Sequence, residues 1–205
     1  MRTFELEIVG TKTMLMHNNQ LANPLNPLTK KLKAISGKRK KDDADHEAIA
    51  EIQFFAGLYW KDGVGLHIPP EMIEACIREG AKVSRDGSKA AIAVRVVDEV
   101  VPLEIFKKYT KAEDLYTDEY RDCRMVNIQK AKVLCVRPRF DRWAFKCTID
   151  LDTDLMTREE FLTALSFAGK KAGIGTYRER YGKFDIKLLT EVETKITSNL
   201  IGDSI

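Results

Sequence analysis

The stretch RWAFKCTIDLDTDLMTREEFLTALSFAG, residues 142–169, guides the interpretation of the whole chain. Its first part alternates apolar with polar residues, as a half-buried strand does, and the apolar positions are Trp143, Phe145, Cys147, Ile149 and Leu151. Thr157 and Glu160 then have the spacing of a capping box, in which each side chain accepts a hydrogen bond from the other residue's amide. The helix that they begin would pack through Phe161, Ala164, Leu165 and Ala168 and end at Gly169. We therefore predict a strand followed by a helix.

Period-two patterns on either side extend this unit. Phe184, Ile186 and Leu188 alternate within a predicted strand over 184–192, and Phe4, Leu6 and Ile8 do so within another over 3–9. Residues 125–137 read as one further strand, and Pro138 marks a hairpin or a bent loop before the strand at 142–151.

Helices and loops fill the remaining chain. Apolar spacing predicts a helix over about 45–59, and prolines in a first turn predict another from residue 69 to Asp86-Gly87. Residues 90–106 are rich in Val and Ile and read as strands. Residues 18–42 read as a long loop, because Asn23-Pro24 and Asn26-Pro27 are turn signals.

Without insertions, the element order is strand, helix, two strands, helix, strand. This is the ferredoxin-like (RRM-like) βαββαβ arrangement of an α+β protein. We expect a single domain over residues 1–205, with insertions at about 10–68 and 87–123.

Composition limits the compartment and the class of protein. The chain has 205 residues, of which 44% are hydrophobic and 32% charged, so it can bury an ordinary core. No apolar run approaches the ~18–20 residues that cross a bilayer, and the amino-terminal residues do not resemble a secretory signal. The four cysteines lack metal-site spacing and are expected to be buried thiols. We expect a protein of the bacterial cytoplasm, without a membrane partner or a cofactor.

Positive charge is concentrated in one segment. The stretch from residue 30 to 41 contains no acid and seven cations, namely Lys30, Lys31, Lys33, Lys38, Arg39, Lys40 and Lys41. The rest of the chain holds the other 27 of the 34 basic residues against all 31 acidic ones. A local cluster of cations on a loop suits contact with phosphates, although a solvated loop is an open alternative.

The segment GKKAGIGTYRERYGKF, residues 169–184, lies between the capped helix and the last strand. Glycine tolerates positive φ and lets a backbone approach a ligand closely. Cations can meet phosphates, and Tyr177 and Tyr181 can stack on bases. The candidate contact residues here are Lys170, Lys171, Gly173, Gly175, Tyr177, Arg178, Arg180 and Gly182, with Lys183 beside them. A tight turn with solvated charges is the alternative interpretation.

The run GIGxxRxxxGxF, residues 173–184, resembles the glycine-rich loop of the repeat-associated mysterious protein (RAMP) superfamily. These proteins are RRM-like subunits of CRISPR effector complexes, and the match covers about 20 residues. The chain is also similar to a group of phage and prophage proteins with an LMHN opening and an RPxFxxW hairpin. The resemblance implies an RRM-like fold, non-specific backbone binding and side-by-side assembly along a strand. It would place Gly173, Gly175, Arg178 and Gly182 at the nucleic acid.

A third basic segment is RPRFDRW, residues 137–143. Arg137, Arg139 and Arg142 can each bind a phosphate bidentately. Trp143 fits the buried alternation and is expected in the core.

Catalytic patterns are weak. The histidines are His17, His46 and His67, and no metal-protease, nucleophile-elbow or P-loop motif is present. The acidic residues Asp42, Asp43 and Asp45 could bind a divalent ion, but an acidic first turn that balances a helix dipole explains them as well.

Together these features predict a non-catalytic protein that binds single-stranded RNA or DNA, of phage or mobile-element type. Two alternatives stay open. One is a RAMP-like endonuclease, and the other is a phage interaction or anti-defence protein that binds a nucleotide or a protein partner.

Overall fold

A computed structural model describes residues 1–128 and 131–193 of the chain, which adopt an α+β fold. The strands are β1 (Arg2–Gly10), β2 (Met14–Leu15), β3 (Trp60–Lys61), β4 (Gly65–Ile68), β5 (Val94–Val96), β6 (Val101–Pro102), β7 (Glu104–Ile105), β8 (Arg121–Ile128), β9 (Ala131–Phe140), β10 (Trp143–Leu151) and β11 (Phe184–Glu193). The helices are α1 (Pro27–Ser36), α2 (Asp43–Gly57), α3 (Pro70–Ala81), α4 (Gly87–Ala93) and α5 (Arg158–Phe167).

The central sheet is antiparallel, with the strand order β11-β1-β10-β5, and β7 pairs with the other end of β10. All five predicted apolar positions of β10, from Trp143 to Leu151, are buried. Helices α3 and α5 cover the same face, and the ring of Phe161 on α5 lies 4.9 Å from that of Phe4 on β1. The expected capping box begins α5, because Thr157 Oγ1 accepts from the Glu160 amide at 3.2 Å.

Helices α3 and α5 cross closely at Gly80. A Cβ atom added there would overlap the backbone of Ala164 and Ala168 on α5. The close approach explains a glycine inside a helix, where it ordinarily costs about 1 kcal/mol relative to alanine.

Four short strands and a hairpin form two smaller sheets around this core. Strands β8 and β9 form the hairpin, with Arg121 opposite Pro138 and Asp122 opposite Arg137, and β2 pairs with the far edge of β9. Strands β3, β4 and β6 form the third sheet. Helix α2 packs on β9, where the Gln53 side chain accepts from the Val136 amide at 2.8 Å.

The prediction of one strand over 125–137 was wrong. The range contains the end of β8 and most of β9, which pair antiparallel as a hairpin in a different sheet from β10. The two strands were not distinguished because no Gly or Pro interrupts the sequence between them. In the central sheet, the place beside β10 is taken by β5 and β7, from a range expected to be an insertion.

The long loop predicted over 18–42 is also corrected. Helix α1 occupies its centre, since the Asn26 side chain caps it by accepting from the Leu28 amide at 2.8 Å and Pro27 stands at its first position. The Asn-Pro pair is therefore a helix start as well as a turn signal.

The range 90–106, predicted as strands, starts with the end of α4. Its sequence from Gly87 to Ala93 contains three alanines, and alanine is the strongest helix former. Among the described residues, no helix is long and apolar enough to cross a membrane.

We predict that Gly80→Ala lowers the free energy of unfolding by about 1–3 kcal/mol, because the new methyl group would press on the backbone of α5. Urea denaturation measures the change. An exposed helix would gain stability from the same substitution. Equal or higher stability of the variant would contradict the close crossing.

Candidate functional site

The glycine-rich segment, residues 173–183, is held against the chain between β1 and β2. The Thr176 amide donates to the Leu15 carbonyl at 2.9 Å, and the Gly182 amide donates to Thr13 at 2.7 Å. Within the segment, the Ile174 amide donates to Gly182 at 2.9 Å. A π-helical turn over Ala168–Ala172 leads into it from α5. The segment is therefore an ordered loop with defined main-chain partners, which we call the Gly-rich loop.

The glycines of the Gly-rich loop serve its own packing. Gly173, Gly175 and Gly182 have φ angles of 76°, 86° and 68°, which other residues adopt only with strain. A Cβ atom at Gly175 would lie 2.5 Å from the Leu15 carbonyl oxygen, and one at Gly182 would overlap that of Ile174. The space beside these glycines is filled by the chain itself. Their contact with a nucleic acid stays a prediction.

Lys183 also serves the loop. Its ammonium donates to the carbonyls of Lys171 at 2.5 Å, Ala172 at 3.4 Å and Arg178. Burial lowers the pKa of Lys183 below its ordinary value, and the nearby Arg178 charge acts in the same direction. Lys183, read from the sequence as a phosphate contact, instead ties the two ends of the loop together.

Cys76 on α3 lies directly beneath the loop. Its thiol donates to the Gly173 carbonyl at 3.1 Å, and burial raises the pKa of the thiol to about 12. At neutral pH the group is a protonated, unreactive hydrogen-bond donor.

The outer face of the β8–β9 hairpin meets the tyrosines of the Gly-rich loop. Alternation along β9 turns Arg137 away from the core, and its guanidinium lies over the Tyr177 ring, 4.6 Å from the centroid. Arg124 on β8 lies 5.3 Å from the Tyr181 ring centroid and donates to its hydroxyl at 3.0 Å. We call these four residues the arginine–tyrosine cluster. Two segments that are about 40 residues apart in sequence thus form one polar, aromatic surface.

Two nitrogens of the Arg137 guanidinium lack a hydrogen-bond partner within this cluster. Its Nε and Nη1 atoms are buried and have no hydrogen-bond partner in the described part of the chain. Asp122 stands opposite it in the hairpin, but the Asp122 carboxylate accepts from Arg124 Nε at 2.6 Å instead. Buried donors without partners cost about 1–3 kcal/mol each, so an incoming anion would be stabilised here.

His17 adjoins Arg137. Reduced solvation of its charged form, followed by the Arg137 charge, lowers the pKa of His17 below its ordinary value. The imidazole is therefore neutral at pH 7 and able to accept or donate one hydrogen bond at each nitrogen.

The other predicted arginines have partners of their own outside the cluster. Arg139 forms a two-point ion pair with Asp141, at 2.9 and 3.0 Å. Arg142 lies over the exposed Phe106 ring, 4.2 Å from the centroid. The segment 137–142 therefore contributes one unpaired guanidinium to the site, although the sequence predicted three contacts.

Four exposed cations lie in the Gly-rich loop and in the π-helical turn that precedes it. Lys170, Lys171, Arg178 and Arg180 are all exposed. Lys171 and Arg178 line an open depression of about 470 Å³ together with Ala172, Tyr177 and two acids, Glu79 and Glu179.

The basic stretch over 30–41 is positioned by α2. Helix α1 carries Lys30, Lys31 and Lys33 on its exposed side and packs against α2. Beyond α1, Lys38 pairs with Asp45 at 2.5 Å, Lys41 donates to the Lys38 carbonyl at 3.0 Å, and Arg39 and Lys40 are exposed. Gly57 of α2 lies against Pro138, on the opposite face of β9 from Arg137. These cations thus belong to a different element from the arginine–tyrosine cluster.

The acids that follow this stretch act at a helix end. The Asp42 side chain accepts from the Asp45 amide at 2.8 Å and caps α2. Within residues 1–128 and 131–193, no group of three or more His, Cys, Asp or Glu side chains is placed to hold a metal ion.

Sequence reasoning missed Arg124 as a site residue. It lies between the expected insertion at 87–123 and the predicted strand at 125–137, and only the hairpin register brings it beside Cys135 and under Tyr181. The available signal was the alternation that begins at Arg121, where Asp122, Arg124 and Val126 share a face.

We predict that native protein at pH 8 reacts with a thiol reagent first at the exposed Cys123, and that Cys76 and Cys147 react only after unfolding. Burial raises the pKa of both protected thiols to about 12, so the reactive thiolate is scarce at pH 8. Peptide mass spectrometry after labelling locates the modified residues. Labelling of Cys76 at the rate of Cys123 would contradict the packing beneath the Gly-rich loop.

No protein-family model matches this chain, and no curated protein matches it in sequence.

Proposed function

We propose that this protein is a non-catalytic binder of single-stranded nucleic acid, and that the arginine–tyrosine cluster is where the strand is held. The observation that carries the proposal is the Arg137 guanidinium, which lies on the Tyr177 ring with two buried nitrogens that lack a hydrogen-bond partner in the described part of the chain. An arginine held in this way is ready to receive a phosphate.

The neighbouring side chains support a backbone contact with stacking. Tyr177 is 44% exposed while Arg137 lies against its ring, so part of the side chain is accessible to a base. Stacking of a base on an aromatic ring is worth about 1–3 kcal/mol and tolerates any sequence. The exposed cations of the Gly-rich loop add a sequence-independent attraction for phosphates.

The open face of the central sheet is a poor alternative surface. Its side chains include Glu5, Glu7 and Asp150, and the described residues of β1, β10 and β11 present no aromatic ring there. Carboxylates repel phosphates, and base stacking on a sheet requires aromatic side chains. The nucleic-acid strand is therefore proposed to bind at the Gly-rich loop and the β8–β9 hairpin instead.

We also propose that the core is of the ferredoxin-like, βαββαβ type. The support is the order of elements β1, α3, β5, β10, α5 and β11, together with the sheet order β11-β1-β10-β5. In this proposal the second core strand is β5, and the β8–β9 hairpin is the insertion that supplies Arg124 and Arg137 to the site.

Arg137→Met should weaken binding of a short fluorescent single-stranded oligonucleotide about tenfold or more, because a charge-assisted hydrogen bond contributes about 1.5–3 kcal/mol. Its melting temperature should equal or exceed that of wild type, since the variant removes an unsatisfied buried charge. Fluorescence anisotropy and thermal denaturation measure the two effects.

Arg139→Met is the matched control, on the same strand and face but paired with Asp141. Its affinity should stay within about threefold of wild type, as expected for an exposed pair. Equal losses for both variants would show that the effect follows total charge, and wild type without affinity at low salt would end the proposal.

Labelled RNA and DNA should be recovered uncut with or without Mg²⁺, and cleavage would contradict the non-catalytic part.

Tyr177→Asn should lower the affinity about fivefold or more, whereas Tyr177→Phe should bind like wild type, because stacking needs the ring and not the hydroxyl. Asparagine is chosen because Tyr177 has a φ of 52°, a conformation that asparagine tolerates. Anisotropy titrations of both variants give the comparison. If Tyr177→Phe lost as much affinity as Tyr177→Asn, stacking would not be the mechanism.

A further inference from the structure

A second basic depression lies at the carboxyl end of α3. It has a volume of about 300 Å³ and is lined by Arg78, Lys82, Arg85, Gly87, Ser88 and Ala91. Three of these six residues are cations and none is an acid. Of the acids next to these residues in sequence, Asp86 pairs with Lys89 at 3.2 Å and Glu79 pairs with Lys82 at 2.6 Å.

Gly87 allows Lys82 to lie across this depression. A Cβ atom at Gly87 would be 2.7 Å from Lys82 Cγ, so any larger residue would displace the lysine stem. The lysine ammonium is 2.6 Å from Glu79, at the border of the depression.

Arg85 occupies a position that suits glycine. Helix α3 and its last turn end with the Asp86 amide donating to Ala81 at 2.9 Å, and Arg85 has a φ of 66° at this end. Glycine is the usual residue in this left-handed position because a side chain is strained there. An arginine that is strained by its backbone indicates a use for its side chain outside the fold.

The basic depression adjoins the candidate site. Glu79 lines the depression that contains Tyr177 and Arg178, and its partner Lys82 lines the basic one. The Lys82 hydrogen bond first, and the Arg178 and Arg78 charges after it, lower the pKa of Glu79. The cations of α3 and of the Gly-rich loop therefore act on the same carboxylate and form one continuous surface.

We propose that the depression formed by Arg78, Lys82, Arg85 and Ser88 binds a backbone phosphate of the same strand that contacts the arginine–tyrosine cluster. This inference rests on the proposed function and adds the path that the nucleic-acid strand follows beyond Tyr177. From Tyr177 the nucleic-acid strand passes Arg178 and Lys171 and reaches the carboxyl end of α3.

Arg85→Gly and Arg78→Ala test the inference in the full chain, with oligothymidylates and oligouridylates of increasing length. Each variant should bind the longer strands about two- to fivefold more weakly, the range for one exposed charge pair. The slope of log affinity against log salt should fall by about 0.7 for each phosphate contact that is lost. Arg85→Gly should also melt about 1–3 °C higher than wild type, because glycine relieves the strained φ.

Lys146→Ala is the control, since Lys146 is an exposed cation on the open face of the sheet. It should bind every length like wild type. If Lys146→Ala lost as much affinity as the α3 variants, the loss would reflect net charge and the depression would not be a site.

The remaining outcomes separate this inference from the proposed function. If the α3 variants bind like wild type at all lengths while Arg137→Met is weakened, the inference is wrong and the proposed function stands. If wild type binds no oligonucleotide at low salt, both are wrong.

Discussion

The candidate site depends on the main-chain contact between residues 13–15 and the Gly-rich loop. The amides of Thr176 and Gly182 donate to the carbonyls of Leu15 and Thr13, at 2.9 and 2.7 Å. Strand β2, which includes Leu15, pairs in turn with β9 of the hairpin. Because β2 bonds both to the Gly-rich loop and to β9, it holds the tyrosines of the loop next to the arginines of the hairpin. The Arg124–Tyr181 hydrogen bond and the contact of Arg137 with the Tyr177 ring add side-chain interactions between the two segments.

The arginines at and near the site carry the same charge but differ in the groups that they contact. Arg124 and Arg139 each have a carboxylate partner, whereas Arg137 has an aromatic ring and a neutral histidine beside it. Arg85 is also poorly accommodated by the fold, because its positive φ is strained for arginine and is not strained for glycine. Groups that the fold leaves unsatisfied or strained are the ones with free energy available for a ligand.

The elements that could be predicted from the sequence are those with strong local signals. The alternation of β10 and the capping box of α5 were confirmed because side-chain period and end chemistry act within a few residues. The β8–β9 hairpin and α1 were missed. No Gly or Pro stands between β8 and β9 in the sequence, and the start of α1 uses an Asn-Pro pair that also begins turns.

The site itself was predicted only in part, because its geometry is set by long-range contacts. Tyr177 and Arg137 were both chosen from composition, but Arg124 joins them through a register that no local pattern encodes. Conversely, Lys183 looked like a phosphate contact and instead donates to one carbonyl of the Gly-rich loop and two of the π-helical turn before it. The segment 30–41 looked like the main basic loop, but its first cations lie on a helix that packs on α2.

The most direct test of the account is photocrosslinking of a bound single strand, followed by identification of the modified peptides by mass spectrometry. A thymidine- or uridine-rich strand should crosslink to peptides that contain Tyr177 or Tyr181, because a stacked base lies in contact with the ring. Crosslinks confined to β1 and β10, on the open face of the sheet, would contradict the account.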